Sequence, residues 1–125
     1  MMKTINKLEN GRAAFAYKCA EKGAALKGRK EYKSYVKKIP MLIKTNGLGA
    51  TVAFMKSKGG TYGDIYKQLT DWFKQEENPL KFDVKELAKD LCEMDSQQYK
   101  AITIETLALF TWIRRFAEGL IEGDE

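Results

Sequence analysis

From Ser96 to Gly119 the chain reads SQQYKAITIETLALFTWIRRFAEG, a stretch that fits only a helix packed by several neighbours. Tyr99, Ile102, Leu109, Ile113, Phe116 and Leu120 fall at alternating spacings of three and four, with Thr106 filling the one gap, so one stripe faces a partner. Ile104, Leu107, Ala108 and Trp112 add apolar atoms on the flanks and back, which predicts a helix nearly apolar all round. A helix of that kind has to be surrounded, and the rest of the chain has to supply the surround. Two charged features interrupt it: Glu105 projects within the seam, and the pair Arg114 and Arg115 projects toward the opposite side.

The preceding residues supply helices and nothing else. Between Thr4 and Gly23, Ile5, Leu8, Phe15 and Cys19 keep helical spacing, and Ala13, Ala16 and Ala20 make an adjoining small face, which predicts one helix weakened at Gly11. The run KGAALKGRKEYKSYVKKIP is punctuated by Gly23 and Gly28, and Tyr32, Tyr35, Val36 and Ile39 give it a short amphipathic turn or two. Pro40 is expected to open the next helix, because a first turn does not need the missing N–H. That helix, PMLIKTNGLGATVAFMKSKGG, carries one apolar stripe of Met41, Leu48, Val52 and Met55 and another of Ile43, Gly47, Ala50 and Phe54, so most of it is expected to be buried. Gly47 and Gly49 within it cost about 1 kcal/mol each relative to Ala, which points to a backbone or ligand passing closely. Thr61 with Asp64 is expected to cap a helix that buries Tyr62, Ile65, Tyr66, Leu69, Trp72 and Phe73 and stops near Asn78 and Pro79. Asp83 and Glu86 mark the start of another, with Val84, Leu87, Leu91 and Met94, and Asp95 or Ser96 caps the last. No segment alternates with strand periodicity. The expectation is an all-α, single-domain bundle spanning 1–125, of five or six helices around a buried C-terminal helix.

Composition excludes most chemistry. The chain has no histidine, which removes Ser-His-Asp and Cys-His arrangements, imidazole metal ligands and the usual general base near neutral pH. Di-iron bundles need Glu-x-x-His pairs, and the acids Asp90, Glu93 and Asp95 surround a helix junction where carboxylates belong for dipole reasons, so neither a catalytic nor a metal site is expected. GLGA follows no strand and completes no phosphate-loop pattern. Cys19 and Cys92 read as buried, reduced thiols. Glu105 is expected to be wholly or partly buried and paired with a cation of the basic first half or with a tyrosine such as Tyr17 or Tyr35. No run approaches the ~20 apolar residues of a membrane span or resembles a signal peptide, so a soluble, cytoplasmic protein without cofactor is expected.

The charge is unevenly placed. Residues 1 to 60 hold 14 Lys+Arg against 3 Asp+Glu, a balance of +11, whereas residues 61 to 125 hold 8 against 14, a balance of −6. A basic half suits a polyanion, and an acidic half suits a basic neighbour such as another copy of the chain. Lys44, Thr51 and Lys58 recur every seven residues, which on one continuous helix makes a polar edge roughly 20 Å long. Lys37, Lys38, Lys44, Lys56 and Lys58, with Arg114 and Arg115 if the last helix packs alongside, are the candidate nucleic-acid-binding residues. They are mostly Lys, a composition that binds phosphate and reads bases poorly.

The strings YKSYVKKIPMLIKTNGLGATVAFMKSK and YKAITIETLALFTWIRRFAEGL closely resemble the two signature blocks of the small α-helical subunit of type III-B CRISPR effector complexes, the Cmr small subunit. The matching positions are Lys37 to Leu48, then Thr103, Glu105 and Leu107, then Trp112 and Arg115, and the blocks cover about half the chain. The resemblance implies a non-catalytic subunit whose copies stack along a ribonucleoprotein beside the backbone subunits, with guide RNA, target RNA, the backbone and large subunits and further copies of itself as partners. A helical adaptor that binds only protein has the same fold and stays open, as does a DNA-binding helix-turn-helix, for which the Lys-rich run is poorly suited.

Overall fold

The computed structural model describes residues 2–123, with side chains from residue 9 onward, and Ile5 and Leu8 of the expected first stripe lie outside the described side chains. Six helices follow one another: α1 (Met2–Ala24), α2 (Arg29–Asn46), α3 (Leu48–Lys58), α4 (Gly60–Trp72), α5 (Leu87–Glu93) and α6 (Ser96–Leu120), and the described residues contain no strand. The all-α bundle read from the sequence is present.

Helix α6 runs through the bundle against α1 and α2. Its stripe of Ile102, Thr106, Leu109 and Ile113 is buried together with Phe110 and Ala117, and the Asp95 side chain caps its N-terminus by accepting the Gln98 N–H at 2.8 Å. The helix is less surrounded than its sequence implies, since Ile104 is 64% exposed and Leu120 is also at the surface. Three polar ties hold the outer helices in place. The Tyr32 hydroxyl of α2 donates to Gln68 of α4 at 2.7 Å, and Gln68 in turn donates to the Cys19 carbonyl of α1 at 3.0 Å. Lys33 donates to the carbonyls of Ile121 and Gly123, fastening the chain end beyond α6 to α2. Asn78 is buried in the 73–86 connection, where it donates to the Trp72 carbonyl and accepts the Leu80 N–H, so the connection folds back on the end of α4.

The middle of the chain departs from expectation in four ways. Pro40 lies inside α2, which runs unbroken from Arg29 to Asn46. A proline there costs about 3 kcal/mol in an isolated helix, and the burial of Val36, Ile39 and Ile43 on the same helix offsets it. The break comes at Gly47, whose φ of +92° only glycine adopts freely; its N–H caps α2 on the Ile43 carbonyl, and its own carbonyl starts α3 by accepting from Thr51. The stretch from Pro40 to Lys58 is therefore two helices, and Met41, 70% exposed, leaves the stripe assigned to it, as do Ala50 and Phe54 at the surface. The close neighbour of Gly49 is the Tyr99 hydroxyl of α6, which accepts its N–H at 2.8 Å. Capping differs too: α4 begins after Gly59 without a side-chain cap from Thr61 and ends at Trp72, and α5 begins at Leu87 without one from Asp83 or Glu86, leaving Val84 outside it. Asp90 instead accepts the N–H groups of Lys85 and Glu86 just ahead of α5, and the Tyr66 hydroxyl accepts the Ala88 N–H of its first turn at 3.1 Å.

Candidate nucleic-acid interface

The polar centre of the molecule is structural. Arg12 of α1 grips Glu105 of α6 with two parallel hydrogen bonds, Nε to Oε2 at 2.7 Å and Nη2 to Oε1 at 2.8 Å, and the buried Trp72 indole donates to the same Oε2 at 3.0 Å. Glu105 is thus buried and paired with a cation of the basic first half, and the pairing raises the Arg12 guanidinium's pKa. Neither Tyr17 nor Tyr35 takes part: Tyr17 packs edge-on to Phe116, and Tyr35 stacks on Tyr62. Arg12 was legible in the sequence as a charge on the stripe of Ala16 and Cys19, at i, i+4 and i+7.

The seven candidate RNA-binding residues do not form one strip. Thr51 is buried on α3, with its hydroxyl bonded to the Gly47 carbonyl, and the break at Gly47 separates Lys44 from Lys58, so the single polar edge read through Lys44, Thr51 and Lys58 does not exist. Lys56 turns the other way and pairs with Glu86 at 2.9 Å, beside the Tyr66 hydroxyl that also donates to Glu86. The Tyr66 hydrogen bond, then Lys56, holds the Glu86 carboxyl below its usual range. Burial first, then the bond to Glu86, pushes the Tyr66 phenol up to about 12. Lys58 stands exposed at the end of α3, and Lys38 faces α3 from α2.

The remaining cations converge. Where α2 and α6 pack antiparallel, Lys44, Arg114 and Arg115 meet around a cleft of about 370 Å³ completed by Pro40, Thr111 and Glu118. Among the described residues Glu118 is the one carboxylate there, 3.6 Å from the Arg114 Nε, so these lining residues carry a surplus of two positive charges. Lys37 precedes Lys44 by seven residues on the unbroken α2, so the same helix face carries a second cation about 10 Å away. Residues some 70 positions apart in the chain thereby build one electropositive surface, suited to successive phosphates. Pro40 and Thr111, which shape the cleft, carried no recognisable signal because neither is charged.

Cys19 is buried, and desolvation pushes its thiol up to about 12, whereas Cys92 is exposed, contrary to the expectation of two buried thiols. Its place on the short α5 turns it outward, while Leu87 and Leu91 take the core side. Among the described residues no three His, Cys, Asp or Glu side chains are grouped to hold a metal ion, and no helix is long and apolar enough to cross a membrane.

Residues 8–120 match the family described as CRISPR-associated protein (Cas_Cmr5). The CRISPR system Cmr subunit Cmr5 of Thermus thermophilus is 35% identical over 108 residues, which cover 86% of this chain and 90% of the relative. The crystal structure of a CRISPR-associated Cmr5 family protein from the same organism superposes with a TM-score of 0.79 at 31% identity, covering 92% of this chain and 97% of that one.

Proposed function

The chain belongs to the CRISPR-associated Cmr5 family, and from that premise we propose that it is the non-catalytic small subunit of a type III-B, or Cmr, RNA-targeting effector. In this role it works in the cytoplasm, stacks with further copies of itself beside the backbone and large subunits, and contacts the phosphates of guide and target RNA. The observation that carries the RNA contact is the convergence of Lys44, Arg114 and Arg115 in one cleft. A surface of this kind grips backbone and leaves sequence to guide pairing. The acidic second half suits a basic neighbour in a stack. A chain without histidine lacks the usual means of cutting RNA itself.

The test is charge reversal at Lys44 and Arg115 together in an otherwise complete effector, with target-RNA retention measured across a salt series. Both residues are exposed, so folding is retained. Retention weakens by a similar factor for every guide sequence, and the salt slope falls by roughly 0.7 to 0.9 for each phosphate no longer gripped. Unchanged affinity and unchanged slope would refute the RNA contact.

A further inference from the structure

A second concavity shares no residue with the cation cleft. It is a groove of about 590 Å³ between α2 and α3, within the size range of small-ligand sites. Lys38, Leu42 and Asn46 line one wall at successive turns of α2, Phe54 lines the other, and Tyr62 of α4 borders both. Among the described residues no carboxylate lines it, and Lys58 stands exposed one turn beyond Phe54 on α3. Glu31, the nearest acid along the same face of α2, lies past the aromatic rings, toward Thr61.

The aromatic arrangement is what makes this more than an apolar hollow. Tyr35 stacks on Tyr62 with centroids 3.8 Å apart and planes 4° from parallel, and Phe54 meets Tyr62 edge-on at 5.0 Å. Tyr62, itself held by the stack with Tyr35, braces the Phe54 ring from one side, yet Phe54 remains 41% exposed. A large ring held in place and left open to water is a preformed stacking surface. Asn46 adds one neutral donor and one acceptor, the complement of a base edge, and Lys38 and Lys58 add cations at phosphate positions. A flat apolar ring, an amide and flanking cations are the groups by which proteins hold single-stranded nucleic acid.

We propose that this groove binds an unstacked base of single-stranded RNA, with the base face on Phe54, its edge toward Asn46 and its phosphate beside Lys38 or Lys58. The proposal rests on the reading that the chain contacts RNA, but it uses residues distinct from the cation cleft, so each can fail alone. The cationic border, with no acid among the described lining residues, is the charge complement of a nucleotide.

The experiment assembles the complete effector on target RNAs bearing 4-thiouridine at single unpaired positions, irradiates it and maps the crosslinked peptide. The crosslink falls on the peptide containing Phe54. Phe54→Trp keeps it, whereas Phe54→Ala and Phe54→Leu reduce its yield at least about tenfold and weaken retention of that RNA by about 5- to 150-fold, the range for loss of one stacked base. All three variants melt with the parent, because the ring is not part of the core. If Phe54→Leu behaves as the parent while Phe54→Ala blocks assembly without target RNA, the groove seats an apolar side chain of a partner protein and the proposal is wrong. If no crosslink forms at Phe54 while reversal at Lys44 and Arg115 still weakens retention, the groove proposal fails and the RNA-contact reading stands. If both perturbations leave RNA retention unchanged, both readings fall.

Discussion

Replacing Glu105 by Ala removes the acceptor that joins three helices. Arg12 then keeps its guanidinium at a site where its side chain is 11% exposed, and its remaining partner is the half-exposed Glu9 at 3.5 Å. The Trp72 indole N–H, wholly buried, is left without its acceptor. Breaking a buried pair from one side costs about 3–5 kcal/mol, chiefly the burden of the uncompensated charge. The orphaned N–H by itself accounts for about 1–3 kcal/mol of such a loss, and the two contributions overlap because one side chain served both. For a chain of this length, 1 kcal/mol moves the melting temperature by about 4 °C, so Glu105→Ala lowers it by roughly 10–20 °C. Glu105→Gln keeps an oxygen for Trp72 but removes the charge, and falls between Glu105→Ala and the parent. The decisive comparison is the double variant Arg12→Met, Glu105→Leu, which removes both charges and leaves only the indole unsatisfied. It is expected to cost less than the two single variants summed, because a buried ion pair and an apolar pair of similar volume are often close in energy. Thermal and urea denaturation followed by circular dichroism read Glu105→Ala, Glu105→Gln, Arg12→Met, Glu105→Leu, the double variant and the parent. A Glu105→Ala melting temperature within about 3 °C of the parent, or singles that add to the double, would show that the network carries no coupled stability and would refute the reasoning.

Three further outcomes follow from other parts of the fold. In native protein near pH 8, Cys92 reacts readily with a soluble thiol reagent and Cys19 does not, while denaturant exposes both; a count of modified thiols by mass spectrometry checks this. Alkaline stability falls for a defined reason: Cys19 is raised from 9.0 to about 12 and Tyr66 from 10.0 to about 12, so the folded state holds these protons more tightly than the unfolded state. Their contribution is intact below pH 9 and is lost as pH rises from 9 to 12, and melting temperatures across that window decline, less steeply in Cys19→Ala measured against its own value at pH 8. Gly47→Ala forces a side chain into a positive-φ conformation and costs about 1–3 kcal/mol by urea midpoint, whereas Gly49→Ala, in regular helix and at ordinary contact distance from the Tyr99 hydroxyl, changes it much less.

The sequence alone was sufficient for the class of fold, the last helix and the burial of Glu105. Hydrophobic spacing along α6 is a local property, and Ile102, Leu109 and Ile113 sit where it put them. An acid within an apolar stripe has to find a cation, and only the identity of that cation, Arg12, awaited the packing of α1 on α6. The expected count of five or six helices took in the six present for the same reason, and the Asp95 cap was readable because its bond spans three residues. What the sequence misplaced depended on competition between local and distant energies. Pro40 sits mid-helix because the core contacts of α2 outweigh a local cost, and the break moved to Gly47, a glycine free to take the positive φ the break requires. That shift of the break turned one imagined polar edge into separate surfaces. Lys56 went to an ion pair with Glu86, Lys38 to the aromatic groove and Lys44 to the cleft with Arg114 and Arg115. Exposed charges are hardly constrained by the hydrophobic pattern, since water solvates them on any open face, so which of them meet was decided only when α2 packed against α6.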